Sequence, residues 1–207
     1  MKKEAVIIDY GMGNLWSVKS ALNFIGVETL VTNDPKKIIS ANILILPGVG
    51  AFRRAMTSLN ERGISEAIVE AVSRKKSKIL GICLGMQLLG QSSTENGFTD
   101  GLGLIPSKSE KFNNENNSSI KIPHVGFNSV YFPEKSILFG QLEKGSDFYF
   151  THSYKMTISN LKRLESTANY AGDFLAAYEN DNVFATQFHP EKSQSNGLKL
   201  LNNFIMA

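Results

Sequence analysis

The sequence predicts an α/β fold, an open and mostly parallel sheet flanked by helices, with antiparallel strands added in its second half. Three observations predict it. Short apolar runs at Ala5 to Asp9, Asn42 to Leu46 and Lys78 to Ile82 alternate with stretches of helical periodicity, the rhythm of buried parallel strands joined by crossover helices. The second half changes to short, aromatic-rich runs separated by turn residues. A chain of 207 residues with 42% hydrophobic content can bury a sizeable core, and the expectation is a single domain over 1–207.

Taken in order, the strand at Ala5 to Asp9 precedes a helix with Leu15, Val18, Leu22 and Ile25 at helical spacing, stopped near Gly26. Val27 to Thr32 reads as a strand. The apolar run Asn42 to Leu46 ends at Pro47, and helical sequence follows from about Ala51 to Arg74 with a break at Gly63. A buried strand at Lys78 to Ile82 then leads into helical sequence from Leu84 to Gln91. Beyond it, Ser107 to Ser119 is polar and reads as a surface loop. Strands are expected near Val130 to Phe132, Asp147 to Thr151, Phe174 to Tyr178 and Val183 to Phe188, with Asn180-Asp181-Asn182 as a turn. A closing amphipathic helix from about Asn196 carries Leu198, Leu201 and Ile205.

Charge and composition exclude several classes. The net charge of +3 comes from 22 basic and 19 acidic residues interspersed along the chain, unlike the concentrated basic stripe of a nucleic-acid-binding protein. The apolar run behind Met1-Lys2-Lys3-Glu4 is too short for a signal-peptide core or a membrane span, so the expectation is a cytoplasmic protein without a membrane partner. One cysteine allows no intrachain disulfide. Three dispersed histidines and that cysteine give no metal-ligand spacing. The pairs Gly11-x-Gly13, Gly48-x-Gly50 and Gly101-x-Gly103 lack the third glycine of a dinucleotide fingerprint, so no cofactor is expected.

The cysteine has a context. Gly81-Ile82-Cys83-Leu84-Gly85 sits where a buried strand meets a helix, the pattern of a nucleophile elbow with sulfur in place of oxygen. A sharp strand-to-helix turn brings backbone close together, so glycines are needed two positions to either side. The helix start also favours a thiolate. A cysteine in bland surroundings is a small buried hydrophobe; the elbow makes Cys83 a candidate nucleophile. Among the candidate bases His124, His152 and His189, only His189 has a carboxylate two residues away. In an extended run Glu191 shares its side and can orient the imidazole. Pro190 between them marks a strand end. Pro47-Gly48-Val49-Gly50 follows another strand end, and the N–H groups of Val49 and Leu84 are the natural oxyanion donors, although the segment alone also suits an ordinary turn.

With these residues in place the chain resembles the class I, triad-type glutamine amidotransferases, whose fold is flavodoxin-like, and within them the glutaminase subunit of imidazole glycerol phosphate synthase. The motifs that carry the resemblance span nearly the whole chain. They are Asp9-Tyr10-Gly11-Met12-Gly13-Asn14-Leu15, Leu46-Pro47-Gly48-Val49-Gly50-Ala51-Phe52, Gly81-Ile82-Cys83-Leu84-Gly85-Met86-Gln87, Pro123-His124-Val125-Gly126, Tyr149-Phe150-Thr151-His152-Ser153-Tyr154 and Gln187-Phe188-His189-Pro190-Glu191-Lys192-Ser193.

The resemblance implies that Cys83, His189 and Glu191 form a triad acting on L-glutamine and that Gly50, Gln87, Ser153 and Tyr154 help to hold that substrate. It implies that Val49 must present its N–H to the oxyanion. It places Asn14, Val125, Phe127, Tyr149 and Lys192 against a (β/α)8-barrel cyclase or synthase subunit in a heterodimer that receives the ammonia. Val125 and Phe127 depart from the methionine and tryptophan usual in the family. That keeps open a related branch feeding a sugar-amidinating synthase of surface-polysaccharide pathways. The elbow would also suit a stand-alone cysteine hydrolase or peptidase, and the fold alone a catalytically silent binding subunit. Partner dependence separates the first of these from a glutaminase subunit, and the effect of Cys83→Ala separates the second.

Overall fold

The computed structural model describes residues 3–113, 120–158 and 164–207. The first half folds as β1 (Glu4–Ile8), α1 (Leu15–Phe24), β2 (Glu28–Thr32), α2 (Pro35–Ser40), β3 (Ile43–Gly48), α3 (Phe52–Glu61), α4 (Ile64–Ser73), β4 (Lys78–Cys83) and α5 (Leu84–Leu89). The second half adds β5 (Ser92–Ser93), β6 (Thr99–Asp100), β7 (Lys108–Lys111), β8 (His124–Ser129), β9 (Asp147–His152), β10 (Tyr154–Met156), β11 (Leu164–Asn169), β12 (Asp173–Asn180) and β13 (Val183–Thr186). A 3₁₀ turn at Pro190–Lys192 and α6 (Gln194–Met206) close the described chain.

Strands β2, β1, β3, β4 and β13 lie side by side and parallel. From β13 the sheet continues through antiparallel β12 and then β10, β7, β5 and β6, while β11 pairs with β12. The strands β8 and β9 form a separate antiparallel ribbon. The mostly parallel sheet with antiparallel additions is the architecture expected from the sequence.

The central strands read as unbroken apolar runs because both faces are covered. Ala5, Ile7, Ile45, Leu80 and Ile82 pack with Val18 and Leu22 of α1 and Leu200, Leu201 and Phe204 of α6. Their neighbours Val6, Ile8, Leu44, Leu46 and Ile79 pack on the opposite face with Phe52, Met56, Leu59 and Ile68 of α3 and α4. Each of the larger side chains among them contributes about 1.5 to 3 kcal/mol by leaving water. The helix starts are marked as well: Asn14 caps α1 by accepting from Ser17 N at 3.4 Å, and Asp34 caps α2 by accepting from Lys36 N at 2.9 Å. Gly63 adopts φ 65° between α3 and α4, which is the helical break the sequence predicts.

Several expectations need correction. Val130 to Phe132 is not a strand; it contributes one isolated bridge from Tyr131 to Thr167, and the strand lies earlier, at His124–Ser129. The covered positions there are polar or small, so no apolar alternation announces it. The polar stretch beginning at Ser107 holds β7, which pairs with β10 and β5 and precedes the buried Phe112; its residues 114–119 lie outside the described residues. Helix α2, with six residues, is too short to show periodicity. Among the described residues no helix is long and apolar enough to cross a membrane.

Candidate active site

The carboxyl ends of β3 and β4 and the segment after β13 meet at one edge of the sheet. Open parallel sheets place ligands there because the loops leaving adjacent strands form a crevice. Gly48 ends β3 opposite Cys83, which ends β4. A cavity of about 420 Å³ opens above them, lined by Val49, Gly50, Cys83, Leu84, Gln87, Glu95, Ser153, Tyr154 and His189 among others.

Cys83 has φ 56° and ψ −111°, a conformation that a side chain adopts at a cost of about 1 to 3 kcal/mol and keeps only when its surroundings enforce it. The enforcement is visible on both sides. A Cβ on Gly85 would lie 1.7 Å from the Leu46 carbonyl oxygen, and one on Gly81 would lie 2.7 Å from Leu89 Cδ1 and 2.9 Å from the Gly85 backbone. The two glycines therefore let β4 turn directly into α5 and hold the sulfur at the cavity. The thiol donates weakly to the Thr151 carbonyl at 3.9 Å, and Gln187 Nε2 approaches the sulfur at 3.8 Å.

His189 Nδ1 meets Glu191 Oε1 at 2.8 Å, with both side chains buried. The reason differs from the strand alternation expected. Strand β13 ends at Thr186, and the 3₁₀ turn at Pro190–Lys192 folds Glu191 back onto the ring. The other ring nitrogen, His189 Nε2, is buried with no hydrogen-bond partner among the described residues. Burial works against charge on His189, but interaction with Cys83 and then with Glu191 outweighs it and raises the imidazole from 6.5 to about 10.

The other two histidines are joined elsewhere. His152 Nδ1 lies 2.8 Å from the Tyr154 carbonyl, which only accepts, so it carries the proton. His152 Nε2 then accepts from His124 Nδ1 at 3.1 Å, and His124 Nε2 accepts from Asn128 Nδ2 at 3.4 Å. This neutral chain ends on the carbonyl that also accepts from Gln87 Nε2 at 3.0 Å. Gln87 in turn donates to Gln187 Oε1 at 3.0 Å. His152 thus forms part of the cavity wall and His124 braces it, with Gln187 as a further member of the network that sequence reasoning did not single out.

Glu95 also escapes sequence reasoning. Its carboxylate accepts from Phe52 N at 2.7 Å and is the acidic group that lines the cavity. Nothing around Thr94-Glu95-Asn96 in the sequence marks it, because it reaches the site through folding.

The oxyanion segment holds its amide in a bond to the neighbouring loop. Val49 N–H donates to Met12 O at 3.4 Å. Leu84 opens α5, where a first-turn amide has no intrahelical acceptor. Gly50 takes φ +102°, which closes the turn behind Val49.

The residues predicted to face a partner fall mainly on the outer side of the β8–β9 ribbon. Val125 and Phe127 are more than half exposed. The Phe127 ring meets that of Tyr149 at 5.6 Å, and Lys192 Nζ lies 5.7 Å from the Tyr149 ring centre. Asn14 sits apart from them in sequence, and contacts between α1 and the 3₁₀ turn bring its helix beside the patch.

The family model for "Glutamine amidotransferase class-I" matches residues 6–207. The chain is 44% identical over 200 residues to "Imidazole glycerol phosphate synthase subunit HisH 1" of Parasynechococcus marenigrum, covering 96% of this chain and 95% of the relative. It is 46% identical over 199 residues to "Imidazole glycerol phosphate synthase subunit HisH 2" of Methanococcus maripaludis, covering 96% and 97%. Among solved structures, PurLQS from Thermotoga maritima has the same fold with a TM-score of 0.72 at 21% identity, covering 100% of this chain and 99% of that one.

Proposed function

The chain belongs to the class-I glutamine amidotransferases, and from that premise we propose that it is the glutaminase subunit of imidazole glycerol phosphate synthase. In this reading it hydrolyses L-glutamine to glutamate and ammonia and passes the ammonia to a (β/α)8-barrel cyclase in the cytoplasm. The observation that carries the chemistry is the buried His189–Glu191 contact facing an elbow cysteine across a cavity. The assignment to this synthase rests on relatives 44–46% identical over nearly their full lengths.

The geometry supports the following reaction. The Cys83 sulfur attacks the side-chain amide carbon of glutamine. As the tetrahedral intermediate collapses, the C–N bond breaks and His189 gives its proton to the departing ammonia. Water then attacks the thioester with His189 as base, releasing glutamate and restoring the thiol. Glu191 holds the imidazole and stabilises its charge. Gln87 has both Nε2 hydrogens committed to protein acceptors, leaving Oε1 for the substrate. Glu95 supplies the anionic partner that an α-ammonium group needs, and Gly50, Ser153 and Tyr154 complete the wall.

With Val49 N–H turned to Met12, one oxyanion donor is missing at rest, a deficit typically worth about 100- to 1000-fold in rate. The partner's binding to the Asn14, Val125, Phe127, Tyr149 and Lys192 surface is the event that restores it. The test is glutamate release by wild type and Cys83→Ala, each alone and with a histidine-pathway cyclase carrying its nucleotide ligand. Strong stimulation of the wild type, lost in the mutant, is expected. Stimulation by a sugar-amidinating synthase and not by the cyclase would transfer the chain to the other branch, which the altered Val125 and Phe127 keep open. Equal turnover with and without any partner would remove the gating.

A further inference from the structure

Tyr10 carries a hydroxyl that the resting structure does not use. Five buried polar side-chain atoms lack a hydrogen-bond partner among the described residues. Two belong to His189 and Glu191, and two are serine hydroxyls of Ser109 and Ser166, far along the antiparallel half of the sheet. The fifth is the Tyr10 hydroxyl, whose side chain is 1% exposed. It lies at the base of the oxyanion segment: a Cβ on Gly48 would come within 2.5 Å of it. The ring is held there by its backbone, since Ser58 Oγ donates to the Tyr10 carbonyl at 2.5 Å and Gly11 N donates to Asp9 Oδ1 at 2.9 Å.

A phenylalanine would fill the same space without burying a donor. An unpaired hydroxyl costs free energy wherever it is buried, so its presence makes sense if a second state supplies its acceptor. The peptide beside it has such a state. Val49 N–H is tied to Met12 O by a long 3.4 Å contact, while Val49 itself lines the cavity with Cys83. In a trans peptide the N–H and the preceding C=O point in opposite directions. Turning Val49 N–H toward the oxyanion therefore swings the Gly48 carbonyl toward the segment that begins at Tyr10. Burial first, and then the Cys83 sulfur, push the phenol's ionisation far above the ordinary tyrosine value, so it stays a neutral donor.

We propose that Tyr10 is a positioning residue whose hydroxyl donates to the Gly48 carbonyl in the rotated state and so stabilises the conformation that completes the oxyanion hole. This rests on the glutaminase reading above. The hydroxyl touches no reacting atom; it acts by shifting a two-state peptide toward its competent form.

Tyr10→Phe removes the donor and keeps the ring. Glutamate release from the variant alone should show kcat lowered about tenfold, the worth of one hydrogen bond, with KM for glutamine unchanged. The deficit should shrink with the cyclase bound, because the partner adds its own bias toward the rotated state. Thermal stability should hold or rise, since the resting state loses an unsatisfied group, and the pH profile of Cys83 alkylation by iodoacetamide should match wild type. A kcat equal to wild type would overturn the proposal. So would a melting temperature that falls along with kcat, which marks a packing role, or a displaced alkylation profile, which puts the hydroxyl on the thiol. Wild type that releases no glutamate under any condition defeats the glutaminase reading and the proposal with it, whereas equal turnover of the two proteins defeats only the role of Tyr10.

Discussion

His189 and the pair His124–His152 are buried to nearly the same degree, 2% exposed against 3% and 6%, yet their ionisation is shifted in opposite directions. His189 is raised to about 10, whereas burial lowers His124 to about 4 and His152 to about 3. The difference lies in what each ring faces. His189 has a carboxylate at 2.8 Å and a thiol across the cavity. The pair is set among rings, with His124 stacked on Phe150 and Tyr170 at 4.9 and 4.0 Å and His152 beside Phe112 at 5.1 Å. Each member of the pair also already uses the proton it has. Burial alone empties a histidine of charge; interaction with the Cys83 sulfur and then with the Glu191 carboxylate reverses the shift. The first region can move protons and the second can only orient groups.

The largest break in that comparison is Glu191→Gln, which keeps the shape and removes the charge. Loss of the orienting carboxylate in a triad of this kind costs roughly 10⁴-fold in kcat. The alkaline limb of the rate profile, where the imidazolium loses the proton it must give to ammonia, should move down from near pH 10. The check is a pH–rate series for both proteins with the partner present. A variant within tenfold of wild type would mean that His189 works without Glu191.

A smaller effect sharpens the orienting role. His152→Phe keeps a ring against Phe112 and Phe174 but frees the Tyr154 carbonyl of its 2.8 Å donor. Gln87 and the cavity wall then lose their brace, and KM for glutamine should rise about tenfold, the scale of one hydrogen bond, with kcat changed less. A fall confined to kcat would place His152 in proton transfer instead.

How much of this can be read from the chain depends on where the information is stored. Cys83 with Gly81 and Gly85, and His189 with Glu191, are local in sequence because the turn that exposes each group is local, so they can be named without the fold. The parallel strands are legible for a similar reason: burial on both faces leaves continuous runs such as Ile43 to Leu46. Strand β8 escapes because its covered positions are His124, Gly126 and Asn128, chosen to bond and fit and not to be apolar. Glu95 owes its place at the cavity to a contact with Phe52, and Gln187 its place beside the sulfur to one with Cys83, 43 and 104 residues away, and no pattern in a single sequence carries such distances. The direction of the Val49 N–H belongs to the same class, since it depends on the separate segment at Met12.

The smallest effect concerns stability in acid, and here the two regions oppose each other. A group whose folded value is raised, such as His189, contributes stability that is complete below its ordinary 6.5 and is lost as pH rises through about 10. His124 and His152 are lowered, so their contribution is present above 6.5 and is lost on acidification toward 4 and 3. At pH 5 the unfolded chain holds about 1.8 more protons on that pair than the folded one, a slope of about 2.5 kcal/mol per pH unit. Glu179, raised by its burial, works the other way and softens the fall. The expected outcome is a melting temperature that drops steadily from pH 6.5 to 4.5. His124→Phe, which keeps the stacking on Tyr170 and removes one of the two titrations, should roughly halve the slope. A slope unchanged by that substitution would assign the acid sensitivity to carboxylates, and would mean that the aromatic layer does not hold its histidines neutral.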